Sequence, residues 1–229
     1  MAFIAFLFAG LIGYLCGSIP FGFIYIKLFK GENLTTIGSG RTGGTNSLRA
    51  GGLGIGLLTS FSDVFKGALA ILLTRNMLSG ALGDALPWAI LFAGVMSVVG
   101  HNWSIFLGFR GGAGTGPNVG WAMALWWPML PIAIFTMSGM LLAHGVASVA
   151  SITMGAIIPV VFGFRYLVGI DQTPAYFLAG LVTLSIVVWA LRPNLKRLVE
   201  GQERIVGPRA RRIRRRQAAE KAQNGSEDS

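Results

Sequence analysis

Long apolar stretches with almost no charge are the feature that most constrains this chain. The sequence has 229 residues, of which 53% are hydrophobic and 12% are charged. A soluble domain carries roughly 25% charged residues to cover its surface, so this chain must place much of its surface against lipid. Its single cysteine, Cys16, lies in an apolar run and argues against a disulfide framework or a cysteine-based metal cluster. We therefore predict an all-α polytopic membrane protein.

The apolar runs predict about seven transmembrane helices. Two runs are shorter than the roughly 20 residues that a bilayer requires, and Pro128 and Pro131 separate them. Because proline removes a backbone donor and restricts the preceding residue, residues 115–144 form either two short helices or one kinked helix. The predicted spans are residues 2–25, 53–73, 86–109, 115–127, 129–144, 146–164 and 175–190.

The distribution of positive charge orients these helices. With seven spans, one side of the membrane receives most basic residues and the basic C-terminal end, and the other receives Arg75 and Arg165. Cytoplasmic loops carry an excess of Lys and Arg, so we predict an N-terminus outside and a cytoplasmic C-terminus. The basic residues assigned to the cytoplasmic loops are Lys27, Lys30, Arg41, Arg49 and Arg110.

The chain divides into a transmembrane domain, residues 1–207, and a basic cytoplasmic tail, residues 208–229. The tail is poor in apolar residues and contains a run of arginines, which predicts disorder. These arginines either fix topology as an ordinary basic flank or bind anionic headgroups at about 1 kcal/mol per charge. The net charge of +10 therefore indicates membrane topology, not nucleic-acid binding.

The first polar loop, residues 38–52, has the composition of an anion site. It reads GSGRTGGTNSLRAGG, and successive glycine amides can converge on an anion. Ser39, Thr45 and Asn46 add neutral donors, and Arg49 adds a planar fork that suits phosphate. The alternative is a flexible turn between two helices.

The second polar loop, residues 109–116, reads FRGGAGTG and precedes a predicted helix. A glycine loop that opens a helix places free amides at its positive end, which favours an anion. The loop lacks the Gly-Lys-Ser/Thr of a Walker sequence. A tight turn without ligand is the alternative.

Four polar residues lie within the predicted spans. His101 and Asn102 are costly in a membrane unless satisfied, so they either line a functional site or make structural hydrogen bonds. Asp63 and Lys66 lie three residues apart on one helix face, which predicts an ion pair that neutralises both. Two histidines on separate helices and few intramembrane acids predict no metal site and no cofactor.

A series of motifs resembles the bacterial acyl-phosphate-dependent glycerol-3-phosphate acyltransferases, the PlsY family. The motifs, in order, are GSIPFG (17–22), GSGxxGxTNxxR (38–49), DxxKG (63–67), GHNWxxFLGFxGGxG (100–114) and NxKRLxxGxE (194–203). The resemblance implies a seven-helix protein of the bacterial inner membrane with its active site facing the cytoplasm. It implies transfer of an acyl group from acyl phosphate to glycerol 3-phosphate, which gives lysophosphatidic acid for phospholipid synthesis.

The resemblance also implies site residues. Ser39, Arg49 and Asn194 match family positions that are expected to be catalytic. Glu203 matches the glutamate that ends the last motif. The positions expected to bind substrate are Gly40, Arg41, Thr45, Asn46, His101, Gly111, Gly112 and Gly114.

Three positions depart from the family pattern. Ala113 stands where the family has lysine, Leu191 where it has histidine, and Arg41 where it has asparagine. Each lost contact to an anionic substrate is worth roughly 1.5–3 kcal/mol. We predict that Arg41 restores a positive charge, with Arg110 and Arg192 as the other basic residues near the motifs.

These departures keep other functions open. The leading hypothesis is the acyltransferase, which binds glycerol 3-phosphate, acyl phosphate and membrane lipids. The alternative is a divergent homologue that uses another acceptor or binds an anion without catalysis. A small anion transporter or membrane scaffold is a third class, and the scarcity of charged residues within the spans argues against transport.

Overall fold

The computed structural model describes residues 2–207 and residue 210. Within these residues the chain is helical, and its β-structure is limited to two isolated bridges. The predicted tail, residues 208–229, lies outside the described residues apart from residue 210. The helices are α1 (Ala2–Ser18), α2 (Phe21–Lys30), α3 (Gly44–Leu82), α4 (Leu86–Asn102), α5 (Thr115–Leu125), α6 (Met129–Ala143), α7 (Ala147–Leu167) and α8 (Ala175–Val199).

Four helical stretches in the described residues are long and apolar enough to cross a membrane. They are Ala2–Lys30, Gly44–Asn102, Ala147–Leu167 and Ala175–Val199, and Met129–Ala143 is a shorter apolar helix. The prediction of an all-helical protein with membrane-spanning helices is confirmed. The count of seven spans and the orientation of the termini stay predictions.

Several predicted boundaries differ from the structure: α3 extends beyond residues 53–73, α4 ends at Asn102 and not at residue 109, and two further differences lie at prolines. The first predicted span, residues 2–25, is divided between α1 and α2 at Ile19 and Pro20, since Pro20 has no amide hydrogen to continue the helix. The last predicted span ends at residue 190, but α8 continues through Pro193 to Val199. Pro193 cannot donate to the carbonyl of Trp189, and Arg192 Nε donates to that carbonyl at 3.0 Å instead.

The region from residue 115 to residue 144 forms two short helices. Helix α5 has 11 residues and α6 has 15, which correspond to lengths of about 16 Å and about 22 Å. Both are shorter than the roughly 30 Å of a bilayer core. Of the two alternatives, the structure therefore has separate helices that turn at Pro128.

Glycines spaced four residues apart let α1 pack closely against α4. A Cβ atom on Gly13 would lie 2.2 Å from the carbonyl oxygen of Ala93, and one on Gly17 would lie 2.0 Å from that of Ser97. Small residues at this spacing allow helix backbones to approach in membranes, where van der Waals packing drives association.

The same spacing joins α5 to α3. A Cβ atom on Gly116 would lie 2.6 Å from Cβ of Asp63, and one on Gly120 would lie 2.0 Å from the carbonyl oxygen of Val64. The two glycines therefore bring the first turn of α5 directly against the polar middle of α3. This contact positions the start of α5, with Thr115 and Gly116, as one wall of a cleft.

Candidate active site

A cleft of about 450 Å³ lies among α3, α5, α6, α7 and α8. One part of its lining is polar and comes from the first polar loop, the end of α8 and the chain that follows α8. Another part is apolar and comes from α6. We call this second part the apolar wall, and it comprises Leu130, Ala133, Ile134, Met137 and Leu141.

Three helices begin at this cleft. The lining includes Gly44 at the start of α3, Thr115 at the start of α5 and Ala147 at the start of α7. The first amides of a helix have no partner within the helix, and the helix dipole makes this end positive. The next residue of α7, Ser148, is only 2% exposed, and its Oγ has no hydrogen-bond partner in the described structure. The cleft is therefore suited to anions.

Asn46 shapes the first polar loop from its centre. Its side chain is 2% exposed. Its Nδ2 donates to the carbonyl oxygens of Ile37 and Arg41, both at 2.9 Å, and its Oδ1 accepts from the amide of Ser39 at 3.1 Å. Asn46 borders the cleft, but its hydrogen bonds fold the loop around it.

The first polar loop presents five predicted site residues to the cleft. They are Ser39, Arg41, Thr45, Asn46 and Arg49. Thr45 and Arg49 lie four residues apart on α3 and so share one helix face. Gly40 is not part of the lining and has a left-handed φ of 70°, which favours glycine at this turn.

The glycines of the second polar loop pack against the end of α4. A Cβ atom would lie 2.0 Å from the carbonyl oxygen of His101 if placed on Gly111, and 1.9 Å from its Nε2 if placed on Gly112. The amide of Gly112 donates to the carbonyl of His101 at 2.9 Å. Gly114, with φ 85°, precedes α5. The cleft lining here is Ala113, Thr115 and Gly116, not the three glycines.

His101 joins the cleft to the buried ion pair. Lys66 Nζ lies 2.9 Å from Asp63 Oδ1, as predicted, and it also donates to the carbonyl of Ile19 at 2.7 Å. His101 Nδ1 lies 3.5 Å from the same carboxylate oxygen. Both Asp63 and His101 line the cleft.

Arg41 connects the two polar loops to α8. Its Nη2 donates to the carbonyl of Ala190 and, at 3.1 Å, to Oδ1 of Asn194. Its Nη1 lies 3.5 Å from the carbonyl of Gly112. Burial lowers the pKa of the Arg41 guanidinium, and the neighbouring charge of Arg197 lowers this pKa further.

The end of α8 adds a hydrogen-bonded carboxylate to this network. Asn194 Nδ2 donates to Glu203 Oε1 at 2.8 Å, and Arg197 Nε donates to Glu203 Oε2 at 3.1 Å. The Glu203 side chain is 5% exposed. Arg41, Asn194, Glu203 and Arg197 therefore form one continuous network beside the cleft.

The two positions at which the resemblance implies a basic residue and this chain has none both face the cleft. Ala113 and Leu191 are part of its lining, whereas Arg110 and Arg192 are not. Sequence reasoning missed two cleft arginines, Arg197 and Arg204. The sequence carried a signal for both, because Arg197 lies within the motif that ends at Glu203 and Arg204 directly follows that glutamate.

Together these features define a membrane protein whose cleft has one lining suited to an anionic group and another suited to an apolar chain. The anionic group is favoured by three helix N-termini and by arginines. The apolar wall is suited to hydrocarbon.

Comparison with known proteins identifies the family. The sequence model of the glycerol-3-phosphate acyltransferase family matches residues 7–201. A glycerol-3-phosphate acyltransferase from Gloeobacter violaceus is 36% identical over 196 residues, which are 85% of this chain and 91% of that protein. One from Thermus thermophilus is 37% identical and covers 87% and 94% of the two chains. This chain belongs to the glycerol-3-phosphate acyltransferase family.

Solved structures agree with this assignment. The glycerol 3-phosphate form of PlsY, an integral membrane glycerol 3-phosphate acyltransferase, superposes with a TM-score of 0.75 at 32% identity. The match covers 88% of this chain and 96% of that one. The lysophosphatidic acid form gives a TM-score of 0.73 at 30% identity. The resemblance seen in the sequence is confirmed.

Proposed function

We propose that this protein transfers an acyl group from acyl phosphate to glycerol 3-phosphate and so forms lysophosphatidic acid for phospholipid synthesis. In this reaction the 1-hydroxyl oxygen bonds to the acyl carbon while the bond from that carbon to the phosphate oxygen breaks. Inorganic phosphate leaves with the bonding electron pair, and the hydroxyl proton is released. The observation that carries the proposal is a cleft in a member of this family that combines arginines with an apolar wall.

The first polar loop is the proposed site for glycerol 3-phosphate. Ser39, Thr45 and Arg49 line the cleft beside the N-terminus of α3, where a phosphate gains hydrogen bonds and favourable charge. Gly40 and Asn46 are proposed to support substrate binding indirectly, because they hold the loop in the shape that presents its donors to the cleft.

The apolar wall and the N-terminus of α7 are the proposed site for acyl phosphate. The acyl chain lies along the wall, and the phosphate lies near Thr115 and Ser148, at the starts of α5 and α7. Ser148 Oγ is a buried hydroxyl that an anion can engage. Because the donor is already activated, the protein acts mainly by holding two anions in line and stabilising developing charge.

The remaining assigned residues surround the proposed reacting groups. Asn194 is the proposed catalytic residue from α8, and Arg41 holds its side-chain oxygen. His101, at the end of α4, is also proposed to bind substrate, since it lines the same cleft. The glycines at positions 111, 112 and 114 are proposed to act by bringing the start of α5 to the anion.

The proposed topology has seven crossings, an N-terminus outside, and the cleft facing the cytoplasm of a bacterial inner membrane. The charge asymmetry of the loops supports it. We also propose the division into a transmembrane domain, residues 1–207, and a cytoplasmic tail, residues 208–229. Reporter fusions at the two ends test the arrangement, since both ends on one side of the membrane would contradict it.

The activity is tested by incubating purified protein with acyl phosphate and glycerol 3-phosphate and measuring lysophosphatidic acid. An acyl thioester replaces acyl phosphate as the donor control, and Arg49→Ala provides a variant with a damaged phosphate site. We expect product from acyl phosphate with the wild-type protein. No product from the wild type, with both substrates saturating, would refute the proposal.

A second function is favoured by one observation. Ala113 and Leu191 face the cleft without any side-chain hydrogen-bond donor. A homologue that binds glycerol 3-phosphate without acylating it would be consistent with this lining. Binding detected by calorimetry in the absence of product would select this second function.

A further inference from the structure

The chain that follows α8 returns across the cleft. We call residues 201–207 the return segment. The amide of Val206 donates to the carbonyl of Gly145 at 2.7 Å, and Ile205 forms an antiparallel bridge with Val146. These bonds fasten the return segment to the start of α7 and hold Arg204, which precedes the bridge, in the lining of the cleft.

Arg204 points from the return segment towards the first polar loop. Its Nη1 lies 3.6 Å from the position that a Cβ atom on Gly38 would occupy. Ser39, the next residue, is part of the same lining. Arg204 and Ser39 therefore face the same part of the cleft from two different segments of the chain.

Among the described residues, four arginines line the cleft, and two of them are already engaged by the protein. Arg41 donates to the carbonyl of Ala190 and to Asn194. Arg197 donates to Glu203. These guanidiniums hold α8 and the return segment in place, and they have fewer donors left for a ligand.

The other two, Arg49 and Arg204, make no hydrogen bond and no ion pair within the part of the chain that the structure describes. Their positive charges are close enough to act on each other unfavourably. Like charges that face one cavity without a counterion are stabilised by an anion placed between them. Glu203 offsets part of this repulsion, but its single negative charge is already paired with Arg197 and cannot neutralise two further guanidiniums.

We propose that Arg204 binds the phosphate of glycerol 3-phosphate together with Arg49, so that the return segment completes the acceptor site. This inference rests on the proposed function and adds a binding residue to it. A phosphate monoester fits because it offers several acceptor oxygens to two planar guanidiniums. The return segment is fastened to the start of α7, but the Arg204 guanidinium itself reaches Gly38, beside Ser39, and this contact favours the acceptor over acyl phosphate.

The test measures KM for each substrate and kcat in Arg204→Gln, Arg204→Lys, Arg49→Gln and the double variant Arg49→Gln/Arg204→Gln. We expect Arg204→Gln to raise KM for glycerol 3-phosphate roughly tenfold or more, because the variant loses a charge-assisted hydrogen bond to the phosphate. KM for acyl phosphate should change by less than about twofold. Arg204→Lys should recover part of the loss, since a point charge keeps attraction without the fork.

Arg110→Gln is the matched control, because it removes the same charge from an exposed loop residue outside the cleft. The double variant should lose less than the product of the two single losses, as expected for groups that share one ligand. Equal changes in KM for glycerol 3-phosphate in Arg204→Gln and Arg110→Gln would show that Arg204 is an ordinary solvated surface arginine, and they would overturn the proposal. A larger rise in KM for acyl phosphate, or a fall in kcat alone, would overturn it too.

Direct measurement of glycerol 3-phosphate binding distinguishes failure of this inference from failure of the proposed function. If the wild type forms no lysophosphatidic acid, calorimetry with glycerol 3-phosphate and, separately, with inorganic phosphate replaces the kinetic assay. Weaker binding of glycerol 3-phosphate by Arg204→Gln than by Arg110→Gln supports the inference even then. Equal binding by the two variants, or no binding by the wild type, overturns it.

Discussion

Arg41 offers a sharp test of how this site works with Ala113 and Leu191 at two positions where the sequence resemblance implies basic residues. Its guanidinium reaches the backbone carbonyls of Gly112 and Ala190. Gly112 directly precedes Ala113, and Ala190 directly precedes Leu191. The perturbation is Arg41→Asn, made alone and together with Ala113→Lys.

The expected magnitude follows from the contacts. Arg41→Asn removes two close hydrogen bonds, to the carbonyl of Ala190 and to Oδ1 of Asn194, and a third, longer contact to Gly112. A hydrogen bond from a charged group is worth about 1.5–3 kcal/mol. These bonds position Asn194 and do not contact substrate, so their loss acts on the reaction through misplacement of Asn194 and loss of a nearby charge. A combined loss of about 2 kcal/mol in transition-state stabilisation would lower kcat/KM about 30-fold. The change also removes a positive charge from the cleft, so binding of phosphate should weaken.

The assay is a double-mutant cycle in kcat/KM, with phosphate binding measured in parallel. Ala113→Lys alone places a second cation near Arg41, and we expect it to lower activity through repulsion. In the Arg41→Asn background the same lysine should partly restore activity. Effects of the two changes that add to within about 0.5 kcal/mol would refute the reasoning, because groups that share a ligand are coupled.

Four further predictions concern the site and the helix packing that supports it. Arg49→Lys should lower the affinity for glycerol 3-phosphate, measured as KM, because an ammonium cannot form the bidentate fork. Ser148→Ala should raise KM for acyl phosphate several-fold, roughly the loss of one hydrogen bond, with little effect on KM for glycerol 3-phosphate. Gly120→Ala should lower the midpoint of thermal unfolding in detergent, since its Cβ would lie 2.0 Å from a backbone oxygen of α3 and overpacking costs about 1–3 kcal/mol. Lys66→Met should destabilise the protein by about 3–5 kcal/mol, because it leaves Asp63 buried without its ion pair, and Lys66→Met combined with Asp63→Asn should be less harmful.

Composition was enough to predict the helical membrane class, because so few charges cannot cover a soluble surface. Periodicity could not give the helix ends. The run through residue 25 is continuous in hydropathy, and only the missing amide of Pro20 divides it. Helix α8 passes Pro193 because Arg192 satisfies the carbonyl that this proline leaves free, a compensation that depends on three-dimensional geometry.

Most of the predicted cleft residues lie within motifs, although Arg197 lies within the last motif and was still missed. Ser39, Thr45 and Arg49 line the cleft, where the sequence placed an anion site. The glycines of the second polar loop carry a phosphate-binding composition, yet their close contacts are with the last turns of α4, at Val98, His101 and Asn102. Arg204 lies after the last motif, and only the fold shows that the chain returns to the first polar loop.

The positions of the arginines explain how a cleft with Ala113 and Leu191 can still hold two anions. Two phosphates brought together repel each other, and the protein must offset this with positive charge close to both. Arg41 reaches the backbone carbonyls beside Ala113 and Leu191 and uses its donors on these carbonyls and on Asn194, so its contribution to a ligand is charge and order more than hydrogen bonds. Direct hydrogen bonds to the ligand are then made by Arg49 and Arg204, whose guanidiniums have no protein partner in the described structure. Because Arg204 belongs to the return segment, the acceptor site is complete only when that segment is fastened to the start of α7.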